Sequence, residues 1–308
     1  MLINNRQKRN AWLCRTAILV GIVLTAMPWT GDSSGAQSQM KAKIVKGQTL
    51  ELESIDTAIS NICEERSLDR QGTIPIDEMA MQHALPFSDP RVIAGKERAQ
   101  RLLPVARRLV PATLARLAFA YQSPAINRDR ITARLSLVDT IKLDIEQRDN
   151  AIVRPSEPHA IIFGTIFLAG LRSDEAMIAV LSHELTHVAD GPDHLLNGLF
   201  DRVALRASQL SGWQIEEEPA MELTCELVGV HVMQTYSSGG SSGESKSRRL
   251  ARAFGKDCVR HDLADEAHLS PRQTLRMLLL LEPSLTRTFA ETEVGQAEVG
   301  RRLFDNRR

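Results

Sequence analysis

The sequence is poor in aromatic residues and carries no excess charge of either sign. Phe, Trp and Tyr make up 4% of its 308 residues, and 38 basic side chains are balanced by 38 acidic ones. A nucleic-acid-binding protein needs a cationic surface, often with aromatic side chains on which bases stack. The composition therefore predicts no nucleic-acid partner. An apolar content of 43% is enough to build a folded core.

Long apolar runs are also scarce, since only residues 17–29 approach the length of a membrane span. This excludes a protein that crosses the membrane many times. Basic residues precede the run and no acidic residue comes before Asp32, which is the layout of a secretory signal. We expect residues 1–36 to be removed after Ala36, giving a periplasmic or secreted protein. An uncleaved segment would instead anchor the protein, so proximity to a membrane stays open.

Cysteine is rare and lacks the CxxC spacing typical of cysteine-bound zinc. Cys14 lies in the signal, which leaves Cys63, Cys225 and Cys258. Three thiols in an oxidising compartment allow one intramolecular bridge at most. Cys225 lies within an apolar helical pattern and is expected to be a small core residue. The favoured bridge is therefore Cys63–Cys258.

Residues 37–130 are predicted to contain a polar linker and a helical region. Residues 91–121 have apolar side chains at helical spacing, and Pro104 and Pro111 should break or kink this helix. Its arginines could touch a membrane surface, but a solvated helix face is the preferred interpretation. At the other end of the sequence, residues 291–308 are expected to form a C-terminal tail.

Residues 131–290 form the second predicted region, in which strands are followed by helices. Extended segments are indicated by alternation of apolar and polar residues or by short apolar runs. These segments are 141–146, 151–154 and 161–168. Ser173 should cap a helix that ends near Gly191. Further helices are expected over 197–210, 219–236 and 271–281, and the Gly/Ser-rich stretch at 237–247 is predicted to be a flexible loop.

The strongest motif is HELTH at residues 183–187, on the helix that follows Ser173. Residues four apart leave the same face of a helix, so the imidazoles of His183 and His187 can converge on one metal ion. Glu184 lies beside them, where it can take a proton from a metal-bound water and deliver it to a leaving amine. Imidazoles and a carboxylate are typical zinc ligands. The motif predicts one Zn²⁺ ion with Glu184 as the general base.

The third zinc ligand must come from another segment. Glu222 and Glu226 lie four apart on the helix predicted from Pro219, on the face that also carries Gly229. Carboxylates on an apolar helix need partners if they are buried. Glu222 is therefore predicted to bind zinc, and Glu226 to accept a hydrogen bond from a ligand histidine and fix its tautomer. Gly229 should let the two helices pack closely. The alternative is that both glutamates face solvent.

A rival ligand set lies directly after the motif. Metzincin peptidases continue the motif as HExxHxxGxxH or HExxHxxGxxD, in which the glycine allows a sharp turn. Here Asp190 occupies the glycine position and Asp193 the ligand position, while Gly191 and His194 each come one residue late. This departure makes Glu222 the preferred third ligand and leaves a metzincin-like site with Asp193 or His194 as the alternative.

Together these motifs resemble the gluzincin metallopeptidases of the CAAX-prenyl-protease and heat-shock-protease type, in an exported, soluble form. The similarity extends over about residues 158–281. It rests on GTIFLAGL at 164–171, on the acidic, alanine-containing start of the helix that carries HExxH, and on an ExxxD-like motif at 222–226. In that motif Cys replaces Ala and Glu replaces Asp. A looser match is His268 followed by Pro271 and Arg272, with Arg276 beyond.

The resemblance implies an α+β, mostly helical fold, with a zincin-like metallopeptidase core and a small antiparallel sheet beside the HExxH helix. This core would occupy residues 131–290. A protein or peptide substrate would lie antiparallel along an open strand edge at 161–168, and His268 or Arg276 would stabilise the oxyanion. The predicted function is a zinc metalloendopeptidase that cleaves exported or envelope proteins with water activated by zinc and Glu184.

Two other classes of function stay open. An exported chaperone or assembly factor could keep a zincin fold and cleave rarely, and its function would then survive replacement of Glu184 by glutamine. A non-enzymatic protein could use the metal only to join helices. In that case a side chain such as Asp193 or His194 would fill the fourth metal position.

Overall fold

The computed structural model describes residues 53–64, 72–147, 150–238, 245–260 and 268–290. The predicted signal at 1–36, the tail at 291–308 and most of the predicted loop at 237–247 lie outside these residues. None of the described helices is both long enough and apolar enough to cross a membrane. The predicted division of the chain at residue 131 stays a prediction.

The described chain is mostly helical and contains one small sheet, as the predicted α+β class requires. Four helices come before the sheet: α1 at 53–64, α2 at Ile76–Ala80, α3 at Pro90–Ala120 and α4 at Arg128–Ser136. The strands are β1 at Thr140–Asp144, β2 at Ala151–Val153 and β3 at Ala160–Gly164. The later helices are α5 at Thr165–Gly170, α6 at Asp174–Asp190, α7 at Asn197–Ser211, α8 at Glu217–Ser238, α9 at Lys246–Ala253, α10 at Pro271–Leu281 and α11 at Pro283–Ala290.

The sheet is mixed, so the prediction of an antiparallel sheet is wrong. Strand β3 lies between the other two, parallel to β1 and antiparallel to β2. All five residues of β3 are buried, as expected for an apolar central strand. The predicted strand at 161–168 ends at Gly164, where α5 begins. The prediction that this strand offers an open edge to substrate is also wrong, because both of its edges are paired.

Helix α3 continues through both of its internal prolines for 31 residues, so of the predicted break or kink, the break does not occur. Each proline removes one helical hydrogen bond. The helix also buries an apolar face that includes Leu102, Ala106 and Val110, and it packs against α5, α6 and α8. Tertiary packing of a long apolar face supplies most of the stability of a helix in a protein. In α3 this packing outweighs the cost of the hydrogen bonds that the two prolines remove.

Helix α6, which carries the HExxH motif, has the predicted ends. The Ser173 side chain accepts a hydrogen bond from the Ala176 N–H at its start. At its end Gly191 has a φ of 58°, a conformation that L side chains rarely adopt. The helix packs against α3, α4, α8 and α9, and β2 of the sheet contacts it as well. The motif therefore lies on a helix that is surrounded by other elements.

A disulfide joins Cys63 at the end of α1 to Cys258, which directly follows a 3-10 turn at Phe254–Asp257. Cys225 is a buried thiol outside any disulfide. Both cysteine predictions are therefore confirmed.

Loss of this disulfide is expected to destabilise the fold. Replacing Cys63 and Cys258 by alanine should lower the free energy of unfolding by about 2–5 kcal/mol, because the bridge joins residues 195 apart and restricts the unfolded chain. Urea unfolding followed by circular dichroism measures the change, and Cys225→Ala is the single-thiol control. An unchanged unfolding midpoint in the double variant would show that the bridge adds no stability.

Candidate metal centre

Helices α6 and α8 approach each other closely at Gly229. A Cβ atom added at Gly229 would lie 2.7 Å from the carbonyl oxygen of Ala179 on α6, which is closer than real contacts allow. Only glycine fits this approach without a shift of the backbone. The prediction that Gly229 permits close packing of the two helices is confirmed, and this packing places the glutamates of α8 opposite the histidines of α6.

The three predicted metal ligands come together in this contact. The Nε2 atoms of His183 and His187 lie 3.1 Å apart. Glu222 places one carboxylate oxygen 3.1 Å from Nε2 of His183 and the other 3.5 Å from Nε2 of His187. The exposed fractions of the side chains are 14% for His183, 19% for His187 and 15% for Glu222. The alternative that Glu222 faces solvent is therefore wrong.

Each of these distances is close to the spacing between donors of a tetrahedral metal ion, with a different oxygen of Glu222 facing each histidine. Donors bound at about 2.0–2.1 Å from a tetrahedral zinc ion lie about 3.3–3.4 Å from one another. The observed distances of 3.1 and 3.5 Å fall on either side of this value. Two histidines and one glutamate are also a ligand set found in catalytic zinc sites, which keep a fourth position for water or substrate.

Cys225 offers a different third donor. His183, His187 and Cys225 each place one ligand atom within 4.8 Å of the others, a spacing that could hold a metal ion. However, the Sγ atom of Cys225 lies 3.8 Å from Nδ1 of His187, whereas Nε2 of that ring faces His183 and Glu222. Burial raises the pKa of the Cys225 thiol well above its usual range. The structure therefore offers two candidate third donors, of which Glu222 lies beside the Nε2 atoms of both histidines.

Burial and neighbouring charges set the ionisation of the glutamates. Burial opposes ionisation of Glu222, but hydrogen bonds and charge interactions with His183 and His187 outweigh it and lower the pKa of this carboxyl. Glu222 is therefore an anion at neutral pH, the form that binds a cation. Burial raises the pKa of Glu184 to about 7, against the opposing effect of the two histidines. Glu184 is itself buried, next to His183 on α6.

Glu226 faces the second nitrogen of His183. Its Oε1 lies 3.5 Å from Nδ1 of His183, a distance at the outer limit of a hydrogen bond, and Nδ1 makes no well-formed hydrogen bond within the described residues. The same oxygen accepts a 3.0 Å hydrogen bond from Nζ of Lys256, which also donates to Asp257 at 2.9 Å. The sequence did not indicate Lys256 and Asp257 as site residues. They lie outside any periodic pattern, and the only residue with a predicted role beside them is Cys258.

His268 borders the centre, whereas Arg276 does not. Nε2 of His268 lies 3.7 Å from Oε2 of Glu222, and its side chain is 46% exposed. Arg276 forms an ion pair with Asp56 of α1. Of the two residues suggested for oxyanion stabilisation, only His268 is placed next to the metal ligands.

The residues of the metzincin alternative point to other partners. Asp193 forms ion pairs with Arg130 and Arg134 of α4. His194 is largely exposed, and its Nδ1 lies 3.2 Å from a carboxylate oxygen of Asp190. The described geometry therefore brings Glu222, rather than either of these side chains, to the two motif histidines.

A cavity of about 280 Å³ lies next to the metal ligands. His183, Glu222 and His268 line one part of it. Half of the remaining wall is apolar, formed by Ile76, Pro219, Leu223, Leu269 and Pro271, and half is polar or charged, formed by Asn150, Glu226, Lys256, Asp257 and Thr274. Asn150, which directly precedes β2, also lines the cavity, so the space extends to the start of this edge strand. Apolar surface beside convergent polar groups is typical of a binding site for an organic ligand.

No protein-family model, curated protein or solved structure matches this chain. The resemblance to gluzincin peptidases therefore rests on the motif residues of the sequence alone.

Gly229→Ala is expected to separate α6 from α8. The added methyl group would meet the Ala179 carbonyl, so the free energy of unfolding should fall by about 1–3 kcal/mol. Zinc affinity should fall at the same time, because Glu222 would move away from the two histidines. Urea unfolding and competition with a metal chelator measure the two effects. The control variant is Gln234→Ala, which changes a half-buried residue of α8. If both variants have the same free energy of unfolding and the same zinc affinity, Gly229 does not have the close-packing role.

Proposed function

We propose that this protein is an exported zinc metalloendopeptidase. The convergence of His183, His187 and Glu222 at 3.1–3.5 Å is the observation that carries the proposal. Glu184 on the same helix supplies the additional carboxylate that zinc peptidases need as a general base, and a partly apolar cavity adjoins the donors. Metal site, base and cavity together are the parts that metal-assisted hydrolysis of a peptide requires.

Each of these residues would have its own role in the reaction. His183, His187 and Glu222 would hold the zinc ion, which acts as a Lewis acid that polarises the scissile carbonyl and makes water more acidic. Glu184 would accept a proton from the attacking water as the new C–O bond forms, and would pass it to the amine nitrogen as the C–N bond breaks. His268, at the exposed side of the centre, would donate a hydrogen bond to the oxyanion.

Strand β2 is the proposed docking position for the substrate backbone. It lies at an edge of the sheet, contacts α6 and follows Asn150, which lines the cavity. An extended peptide could add to this edge by main-chain hydrogen bonds. Its side chains would then meet the apolar wall that includes Leu223 and Leu269, so we expect a preference for apolar residues near the cleaved bond.

Export is supported by two independent features. Residues 1–36 have the charge and apolar layout of a secretory signal, and the Cys63–Cys258 disulfide is typical of proteins in an oxidising compartment.

Metal removal tests the proposed activity. The purified protein should cleave casein or a mixture of unstructured peptides. We expect cleavage to stop after zinc is removed with a chelator and to return when one equivalent of zinc per chain is added back. His194→Ala, which changes an exposed histidine outside the ligand set, should behave as the wild type. Cleavage that continues without metal would contradict the proposal, and zinc binding without cleavage would favour the chaperone alternative.

A further inference from the structure

A lysine is buried next to the metal centre. Lys256 lies in the 3-10 turn at Phe254–Asp257, and only 9% of its side chain is exposed. Its ammonium group donates to Oε1 of Glu226 at 3.0 Å and to Oδ1 of Asp257 at 2.9 Å. A buried charge is costly unless it is paired and hydrogen-bonded. The positions of Lys256 and these two carboxylates are therefore strongly interdependent.

Glu226 connects this cluster to a metal ligand. The oxygen that accepts from Lys256 is also the one that lies 3.5 Å from Nδ1 of His183, whose Nε2 faces Glu222. A glutamate side chain loses considerable rotamer freedom when it is held in one position. The contact with Lys256 removes that freedom independently of His183, so the carboxylate is already placed next to the imidazole.

The turn that carries Lys256 is fixed by contacts on several sides. Cys258, next to Asp257, is tied to α1 by the disulfide to Cys63. Phe254 is buried and packs its ring edge-on against Phe289 of α11, with the ring centroids 6.0 Å apart. The turn also contacts α9 and α10. Lys256 therefore comes from a rigid part of the fold rather than from a mobile surface loop.

We propose that Lys256 is a positioning residue for the metal centre. It holds Glu226 in place, and Glu226 in turn orients His183 through Nδ1. This inference rests on the proposed function, because it takes Nε2 of His183 as a metal-binding atom. A histidine that donates from Nδ1 to a carboxylate presents an unprotonated Nε2 to the metal. Zinc affinity should consequently depend on Lys256, although the lysine is not one of the proposed ligands.

A double-mutant cycle of zinc affinity tests the inference. Dissociation constants are measured by competition with a graded series of chelators for the wild type, Lys256→Met, Glu226→Ala and the double variant. Lys256→Met should weaken zinc binding by about 10–100-fold, as the loss of a group that orients a ligand does. The double variant should bind zinc no more weakly than Glu226→Ala alone, because both changes break the same chain of contacts. The visible absorption spectrum of bound Co²⁺ should also change in Lys256→Met.

Arg249→Met is the matched control, because it removes another largely buried cation. Arg249 donates to the carbonyl of Ser237 and lies 3.7 Å from Glu175, at the far end of α6 from the motif. The zinc affinity and the Co²⁺ spectrum of Arg249→Met should equal those of the wild type.

The following results would decide against the inference. Wild-type zinc affinity in Lys256→Met, or additive losses in the double variant, would overturn it and leave the proposed function intact. A wild-type protein that binds no zinc would overturn both. If circular dichroism shows that Lys256→Met does not fold, Asp257→Asn replaces it, since this variant removes the negative charge of one of the two partners of the lysine. Weaker zinc binding by Asp257→Asn then supports the inference, and unchanged binding overturns it.

Discussion

Replacing Glu222 by glutamine is expected to weaken zinc binding by more than about 100-fold. The variant keeps the shape of the side chain and removes the anionic ligand whose oxygens lie 3.1 and 3.5 Å from the two histidines. Glu226→Ala should weaken binding less, by about 10–100-fold, because Glu226 acts only through His183. Chelator competition with each purified variant measures the two losses on one scale.

Three variants serve as controls for the choice of Glu222. Asp193→Ala and His194→Ala should leave zinc affinity nearly unchanged, since Asp193 is paired with arginines of α4 and His194 is largely exposed. Cys225→Ala should also retain zinc, because its thiol faces Nδ1 rather than Nε2 of His187. If one of these variants loses zinc while Glu222→Gln retains it, the third ligand has been assigned to the wrong residue.

Replacing Glu184 by glutamine is expected to reduce peptide hydrolysis by about 10²–10⁴-fold while zinc content stays unchanged. The amide has almost the same size but cannot take the proton from water. The two measurements are kcat/KM for hydrolysis of a fluorogenic peptide and the zinc content of the same sample.

Glu175→Gln is the matched control for this experiment. Glu175 is a second buried glutamate of α6, located in the first turn and close to Arg249. Its replacement should affect stability and leave the rate constant for hydrolysis close to that of the wild type. Hydrolysis at the wild-type rate by Glu184→Gln would instead show that another group is the base.

The local parts of the metal centre could be predicted because they depend on helix geometry. Residues four apart lie on one face of a helix, which places His183 with His187 and Glu222 with Glu226. Gly229 on the face of the two glutamates indicated a close approach of another backbone, and Ala179 provides it. These predictions needed only the periodicity of one helix at a time.

Predictions that depended on non-local pairing were less successful. The alternation of apolar and polar residues indicated strands, but not that β3 would lie between β1 and β2. Proline chemistry alone predicted a break or kink in α3, because the apolar surfaces that α5, α6 and α8 offer to it are formed only in the folded chain. Lys256 was missed for the same reason, since its role depends on a contact with Glu226 that no sequence spacing encodes.

X-ray absorption at the zinc edge tests the central claim most directly, because it reports the number and type of atoms bound to the ion. The purified protein should contain one zinc ion per chain, surrounded only by nitrogen and oxygen atoms at about 2.0–2.1 Å. This is the result expected for His183, His187 and Glu222. A sulfur atom at about 2.3 Å would identify Cys225 as a ligand instead, and a protein that holds no zinc would contradict the metal centre altogether.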